Sequence, residues 1–371
     1  YLAISTTLPP VGETRQDAVR AVRALMELLK DFPLSAPARG RGIWLAALLT
    51  RLARGAFDGP CPMFVSRANI QGAGKTKFWN LIGLIADGHE PEKTAFKVQE
   101  RDFNDEIIAS LAKGPAMLMI DNVPPKVTFD SATLACVLTT GKFSARMKSA
   151  PTTAQMAVRA VMFATGNGMR LSGELERRAL VADMDVRDTA TPWERDGMPE
   201  IERMALEHRG ELLAAAMTCL RAWHCAGRPS VPTKIGCSFP YWANVIRQCI
   251  LWLARLPGLE GVLADPVDRL TVGTNEEMDD LGRLAMLWDD MCQQIGKPAV
   301  KAGQVMVDSD KEGNYHYPAK YWIKEYMAET VRDPKPSDLT KILMSVRNRP
   351  IKCPDGKTRT LSRTNTGAFR V

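Results

Sequence analysis

Hydrophobic positions recur at helical spacing from the start of the chain. Val19, Val22, Leu25, Met26 and Leu29 form one apolar stripe, and Ile43, Leu45, Leu48, Leu49 and Leu52 form another, so helices are predicted within residues 13–58. Pro60 and Pro62 interrupt the pattern, and Met63-Phe64-Val65 begins a short apolar run of strand length. From there to about residue 187, apolar runs alternate with helical stretches, as in a parallel sheet with crossover helices. The clearest buried strands are Ala116–Ile120 and Ala160–Ala164, with a weaker one at Leu180–Met184. After the break at Pro192, residues 199–225 and 240–256 again read as helical, separated by the loop Gly227–Ser238 with its two prolines. A further helix fits 277–295. The last 55 residues predict a helix at Lys320–Glu329, a second opened by Ser337-Asp338, and a strand-like basic tail.

Composition narrows the class. The 371 residues exceed one ordinary core, and 45% hydrophobic with 25% charged residues is a soluble globular balance. No apolar run reaches the roughly 18 residues of a membrane helix and no signal peptide is visible, so a cytoplasmic protein without a membrane partner is expected. Tyr1 in place of Met suggests a piece of a longer polypeptide. The eight cysteines are scattered without a C-x-x-C pair, and reduced thiols rather than a metal knuckle are expected. The net charge of +7 is unevenly placed. Between Lys341 and Val371, eight Lys or Arg face the single acid Asp355, which points to a nucleic-acid contact in a terminal module.

The chemistry is carried by four segments in order. Gly72-Ala73-Gly74-Lys75-Thr76-Lys77 follows the strand at Met63–Ser66 and leads into Phe78-Trp79-Asn80-Leu81-Ile82. Such a loop wraps backbone N–H groups around nucleotide phosphates, with Lys75 reaching the β- and γ-phosphates and Thr76 on Mg²⁺. Asn69 stands where the first glycine of G-x-x-x-x-G-K-T belongs; asparagine tolerates left-handed backbone better than most residues. Met117-Leu118-Met119-Ile120-Asp121-Asn122 ends a buried strand in an acid, the position of a second Mg²⁺ ligand. Asn122 occupies the place where many related motors carry a glutamate base. It either orients the attacking water, or a carboxylate elsewhere, such as Glu106 or Glu100, supplies the base. Val161-Met162-Phe163-Ala164-Thr165-Gly166-Asn167 sets Asn167 at the end of the next core strand, beside the γ-phosphate. Leu175-Glu176-Arg177-Arg178 then offers arginines for a neighbouring subunit's nucleotide, a contact worth roughly 10³–10⁵ in rate where it is known.

The order GAGKT, MLMIDN, ATGN and LERR resembles the AAA+ ATPases of phage, plasmid and genomic-island replication proteins, many of them helicases that follow a primase module. Asp31-Phe32-Pro33, Leu138-Thr139-Thr140-Gly141, Leu171-Ser172-Gly173-Glu174 and Ser238-Phe239-Pro240-Tyr241-Trp242-Ala243-Asn244-Val245-Ile246-Arg247 are similar to that group as well. The resemblance covers roughly residues 15–270. It implies an α/β fold in which a P-loop AAA+ parallel-sheet core carries N-terminal helices, a helical lid and a C-terminal winged-helix domain. The expected divisions are 1–59, 60–190, 191–300 and 301–371. It further implies a ring, most simply a homo-hexamer, with ATP and Mg²⁺ between subunits, Arg247 as a sensor-2 arginine, and an upstream primase module as a partner.

Arg146 and Lys148 follow the Asp121 strand and either line a pore for single-stranded DNA or face the neighbouring nucleotide. The C-terminal segment has the order of a winged helix, with Arg347 and Arg349 near the groove-entering helix and Lys357, Arg359 and Arg363 on the wing against phosphates. A protein-docking winged helix is the alternative. The expected function is an ATP-dependent DNA helicase in replication of a mobile element or phage. A replication initiator or loader, and a slowly hydrolysing DNA-bound scaffold, remain the other readings.

Overall fold

A computed structural model of the chain describes residues 8–125, 127–146, 153–186, 200–233, 236–267, 276–295, 299–302, 323, 327, 335–345, 350–352, 358–364 and 368–370. The described residues fall into two compact units, Tyr1–Thr271 and Val272–Val371.

Two helices open the first unit, α1 (Arg15–Glu27) and α2 (Pro37–Leu52). Helix α1 begins where it does because Thr14 and Asp17 form a reciprocal capping box, satisfying amide donors that the first turn leaves orphaned. Pro37 starts α2, where its missing N–H costs nothing.

The sheet that follows contains β1 (Met63–Ala68), β2 (Glu92–Ala95), β3 (Met117–Val123), β7 (Val161–Asn167) and β9 (Ala179–Met184). The spatial order is β2-β3-β7-β1-β9 and every pairing is parallel. Helix α3 (Lys75–Ala86) joins β1 to β2, and α4 (Glu100–Ala112) joins β2 to β3.

Between β3 and β7 lie the two-residue strand β4 (Thr128–Phe129), α5 (Ala132–Thr140) and an antiparallel hairpin. Its arms are β5 (Lys142–Arg146) and β6 (Thr153–Ala157). Strand β8 (Arg170–Leu171) pairs with β4, and α6 (Gly173–Glu176) precedes β9.

Alternation along the central strands divides the core into two layers. Phe64, Met117, Met119, Val161 and Phe163 face α1, α2, α3 and the later helices, while Met63, Val65, Leu118, Ile120, Met162 and Ala164 face α4, α5 and α6. Burial on both faces explains why these strands read as continuous apolar runs rather than alternating ones. The fold class is thus an α/β P-loop-type core, as the pattern predicts.

Helices α7 (Ile201–Glu207), α8 (Arg209–Cys225), α9 (Pro240–Trp242), a π-turn (Ala243–Arg247) and α10 (Gln248–Leu253) complete the unit. They share one apolar cluster with α1, α2 and α3. The divisions expected at 59/60 and 190/191 therefore do not separate independent cores; the flanking helices finish the sheet's own core.

The second unit is likewise divided differently from expectation. Helix α11 (Glu276–Ile295), assigned to the lid by sequence, buries Leu284, Trp288 and Met291 with Leu339, Leu343, Leu361 and Phe369. Helix α12 (Pro336–Ser345) matches the helix predicted after Ser337-Asp338. Strands β10 (Pro350–Lys352) and β11 (Thr358–Thr360) form one antiparallel pair, and β12 (Ser362–Arg363) and β13 (Phe369–Arg370) another. The predicted helix Lys320–Glu329 lies outside the described residues except Ile323 and Met327, which are helical and buried.

Candidate nucleotide site

Three adjacent strands, β3, β7 and β1, deliver the chemistry to one edge of the sheet. Their carboxyl ends carry Asp121, Asn167 and the loop before Lys75, in the crevice where open α/β sheets bind ligands.

The loop is shaped by glycine. Gly72 has φ 76° and Gly74 φ 94°, left-handed conformations that a β-carbon resists. Gly74 is also the N-cap of α3 and supplies no side-chain cap, so the first amides of the helix are left to an anion. Ala73 between them is fully buried. The helix itself is anchored from beneath, by Trp44 Nε1 donating to the Phe78 carbonyl at 2.8 Å and by the rings of Phe78, Trp79, Phe163 and Phe64.

Lys75 is only 8% exposed. Its ammonium donates to Asn167 Oδ1 at 2.5 Å and to the Ile70 carbonyl at 3.3 Å. Burial pushes its pKa below the ordinary lysine value, and the nearby Asp121 carboxylate opposes that shift. A desolvated ammonium beside open helix amides is arranged to receive negative charge. The sequence-predicted trio of Lys75, Thr76 and Asn167 is brought together with Asp121, since Thr76 Oγ1 donates to Asp121 Oδ1 at 3.1 Å. This hydroxyl and carboxylate are hard oxygen donors of the kind Mg²⁺ takes alongside phosphates and water. Among the described residues no group of three or more His, Cys, Asp or Glu forms a separate metal site.

Sequence reasoning missed Thr165. Its hydroxyl donates to Asp121 Oδ1 at 2.6 Å and accepts the Asn122 N–H at 2.9 Å, so one buried side chain holds both residues at the end of β3. A polar residue in an otherwise apolar buried strand was the available signal. Asn122 is exposed and left-handed, at φ 60°, where the β3–β7 register shifts between Ile120 and Val123. Gly166 allows this crossing, because a β-carbon there would meet the Val123 carbonyl at 2.9 Å. Of the two alternative carboxylates, Glu106 accepts from Thr94 Oγ1 at 3.4 Å, and Thr94 pairs in register with Ile120. Glu100 begins α4 and is exposed.

Asn69 is not left-handed. Among the described non-glycine residues only Asn122 and Arg228 have positive φ, so tolerance of left-handed backbone does not account for asparagine at 69.

Other predicted residues have partners of their own. Lys77 pairs with Glu202 at 3.0 Å, tying α3 to α7. Arg247, expected near the γ-phosphate, is 3% exposed and held bidentately by Asp265 at 2.9 and 2.6 Å. A planar guanidinium satisfied by a carboxylate in this way acts as an internal brace.

Arg177 is exposed and pairs with the Glu174 carboxylate, as Arg178 does too; Arg178 also donates to Thr139 Oγ1 at 2.7 Å and to the Glu174 carbonyl at 2.8 Å. Arg178 precedes β9, whose Ala179 pairs with Met63 at the amino-terminal edge of the sheet. Six residues of strand, at roughly 3.3 Å each, put about 20 Å between this edge and the Lys75 edge.

In the second unit, Arg359, expected on the wing against phosphates, is engaged by Asp289 at 3.0 Å with its side chain 10% exposed. Arg363 is exposed. Arg146 ends β5, while Lys148, Arg347, Arg349 and Lys357 lie outside the described residues.

No protein-family model matches the chain, and no curated protein matches it by sequence. Among solved structures it is similar to the apo A form of the NrS-1 C-terminal region. There the TM-score is 0.38 at 10% identity, covering 98% of this chain and 76% of that one. It is also similar to JCV helicase, with TM-score 0.29, 15% identity, and 66% and 68% covered. Likenesses this distant carry no assignment.

Proposed function

We propose that the chain is an ATP-hydrolysing motor of the AAA+ type that acts on DNA, and that it works as a helicase. The observation that carries this is the convergence of Lys75, Thr76, Asp121 and Asn167 at the carboxyl edge of three adjacent parallel strands, beside the open amides of α3. Lys75 and the loop amides bind the phosphates, Asn167 orients what approaches the terminal phosphate, and Thr76 with Asp121 would hold Mg²⁺. That ion would neutralise charge on the phosphate oxygens when bound.

The position of Arg178 supports a multi-subunit arrangement. It sits at the opposite sheet edge from Lys75, too far to serve its own subunit's nucleotide, but suitably placed to serve a neighbour's across a ring. A homo-hexamer is the simplest closed form of such a head-to-tail interface.

DNA is proposed as the track on two grounds. The β5–β6 hairpin forms a sheet of its own, separate from the five-stranded core, and ends its first arm at the basic Arg146. The terminal stretch from Lys341 carries a net positive charge equal to that of the whole chain, which supports a winged helix on phosphates.

Asn122 favours a second reading. With no carboxylate at this position, a slowly hydrolysing, nucleotide-bound scaffold on DNA is the alternative, unless Glu106 serves as the base.

The deciding experiment is ATP hydrolysis with and without single-stranded DNA, comparing the wild type with Lys75→Ala. DNA-stimulated turnover abolished by the substitution supports the motor, and strand displacement on a forked duplex then separates helicase from loader. Nucleotide binding without turnover sinks the motor reading and leaves the scaffold.

A further inference from the structure

Strands β1 and β9 pair in parallel up to Ala68 and Met184, after which β1 turns away to form the phosphate loop. Pairing does not stop there. Asn69 Oδ1 accepts the Val186 N–H at 3.1 Å, and Asn69 Nδ2 donates to the Val186 carbonyl at 3.1 Å. The same Nδ2 donates to Asp185 Oδ1 at 2.9 Å. A carboxamide has the donor and acceptor of a peptide group, so the side chain continues the β1–β9 ladder after the main chain has left it.

The end of β9 is fixed on its other side as well. Asp185 N–H donates to the Pro33 carbonyl at 2.8 Å and Ser35 N–H to the Asp183 carbonyl at 2.9 Å. Phe32 packs edge-on against Phe78 of α3, with ring centroids 5.1 Å apart. The segment around Asp31-Phe32-Pro33 thus buttresses the strand to which Asn69 is tied.

We propose that Asn69 is a positioning residue for the nucleotide. Its carboxamide clasps Asp185 and Val186 and thereby fixes the take-off of the phosphate loop, a task the glycine of the common motif cannot perform. This rests on the P-loop reading above. It explains why the departure from glycine leaves a competent loop, and it links occupancy of the loop to the end of β9. Restoring the motif glycine therefore harms this protein. The Asn69→Gly change would remove all three bonds and add backbone freedom to a loop that must be ordered to bind.

The test uses the full chain with a fluorescent ADP analogue and with ATP. Asn69→Gly and Asn69→Ala are expected to weaken nucleotide binding and raise KM by about fivefold or more, the loss expected for two or three modest hydrogen bonds. The kcat at saturation stays within about twofold, since the clasp touches no reacting atom. Asn69→Asp sets two carboxylates side by side and binds worse, while Asn69→Asp with Asp185→Asn restores a donor–acceptor pair and recovers most of the affinity. Hydrogen exchange at the Val186 amide slows when nucleotide binds the wild type and not when it binds Asn69→Gly. Unchanged or tighter binding by Asn69→Gly, with binding still lost in Lys75→Ala, overturns the clasp alone. No nucleotide binding by the wild type overturns both the clasp and the P-loop reading.

Discussion

Thr165 holds Asp121 from the neighbouring strand, donating its hydroxyl to Oδ1 at 2.6 Å while accepting the Asn122 N–H at 2.9 Å. Thr76 donates to the same carboxylate oxygen, so the orientation of the acid is set from two sides. Thr165→Val is expected to lower turnover by ~10-fold to ~100-fold, the usual cost of losing a group that orients a metal ligand. It also raises the Mg²⁺ concentration needed for half-maximal activity, and Thr165→Ser recovers most of both. Turnover titrated with Mg²⁺ for the three proteins decides it; an unchanged Mg²⁺ curve for the valine variant rejects the role.

Asn122 occupies a left-handed backbone position, which constrains any attempt to install the acid found there in many motors. Asn122→Glu and Asn122→Ala should each cost about 1 kcal/mol of stability, because a β-carbon without local side-chain bonding is disfavoured there. Asn122→Gly should cost less, since glycine adopts φ 60° readily. Chemical denaturation of the three variants gives the order, and a glutamate variant as stable as the glycine one contradicts it.

Lys75 should be a stability cost in the empty protein. Its folded pKa is pushed below 10.5 by burial, so between that lowered value and 10.5 the native state binds fewer protons than the unfolded one. The penalty is full below the lowered value and fades as pH rises through that window. Lys75→Met is expected to melt higher than the wild type without nucleotide, by a margin that shrinks toward pH 10.5. Melting curves across this range test the sign.

Arg178 lies just before β9, at the opposite sheet edge from its own subunit's loop. Arg178→Ala should leave nucleotide affinity intact and cut turnover by up to ~10³. Mixing it with Lys75→Ala should restore part of the activity, because an intact loop from one variant then meets an intact arginine from the other. Full turnover by Arg178→Ala alone rules the arginine out.

The buried thiols should be inert. Burial raises the Cys61 pKa to about 11 and the Cys219 pKa to about 12, and holds Cys249 well above the ordinary value. Cys136 and Cys225 are exposed. Brief alkylation of the native protein followed by mass spectrometry should mark Cys136 and Cys225 and spare the other three.

Much of the sheet was legible in the sequence. Strands buried on both faces, such as Met117–Ile120 and Val161–Ala164, stand out because every position is apolar. Lys75, Thr76, Asp121 and Asn167 could be singled out because loop, strand end and strand end follow in a fixed order, and the fold brings them together. The β5–β6 hairpin was missed, since Lys142–Arg146 and Thr153–Ala157 lack the apolar run of a core strand. The partners of Arg247 and Arg359 were not legible, because a sequence shows an arginine's charge and not the carboxylate that meets it. Asp265 and Asp289 stand 18 and 70 residues away.

Local pattern was enough for the class of fold and for the order of the loop and strand-end residues that meet at the candidate site. Apolar periodicity and glycine placement are properties of short segments, and they survive without knowledge of the neighbours. The assembled fold alone set which strands lie side by side, that Thr165 steers Asp121, that Asn69 clasps Val186, and that Arg178 lies at the far edge. Each of these depends on contacts between residues 39 to 117 positions apart, brought together by the pairing of the strands and their connections. That pairing is fixed by burial of the whole sheet between two helical layers, a property of the complete core that no single segment carries.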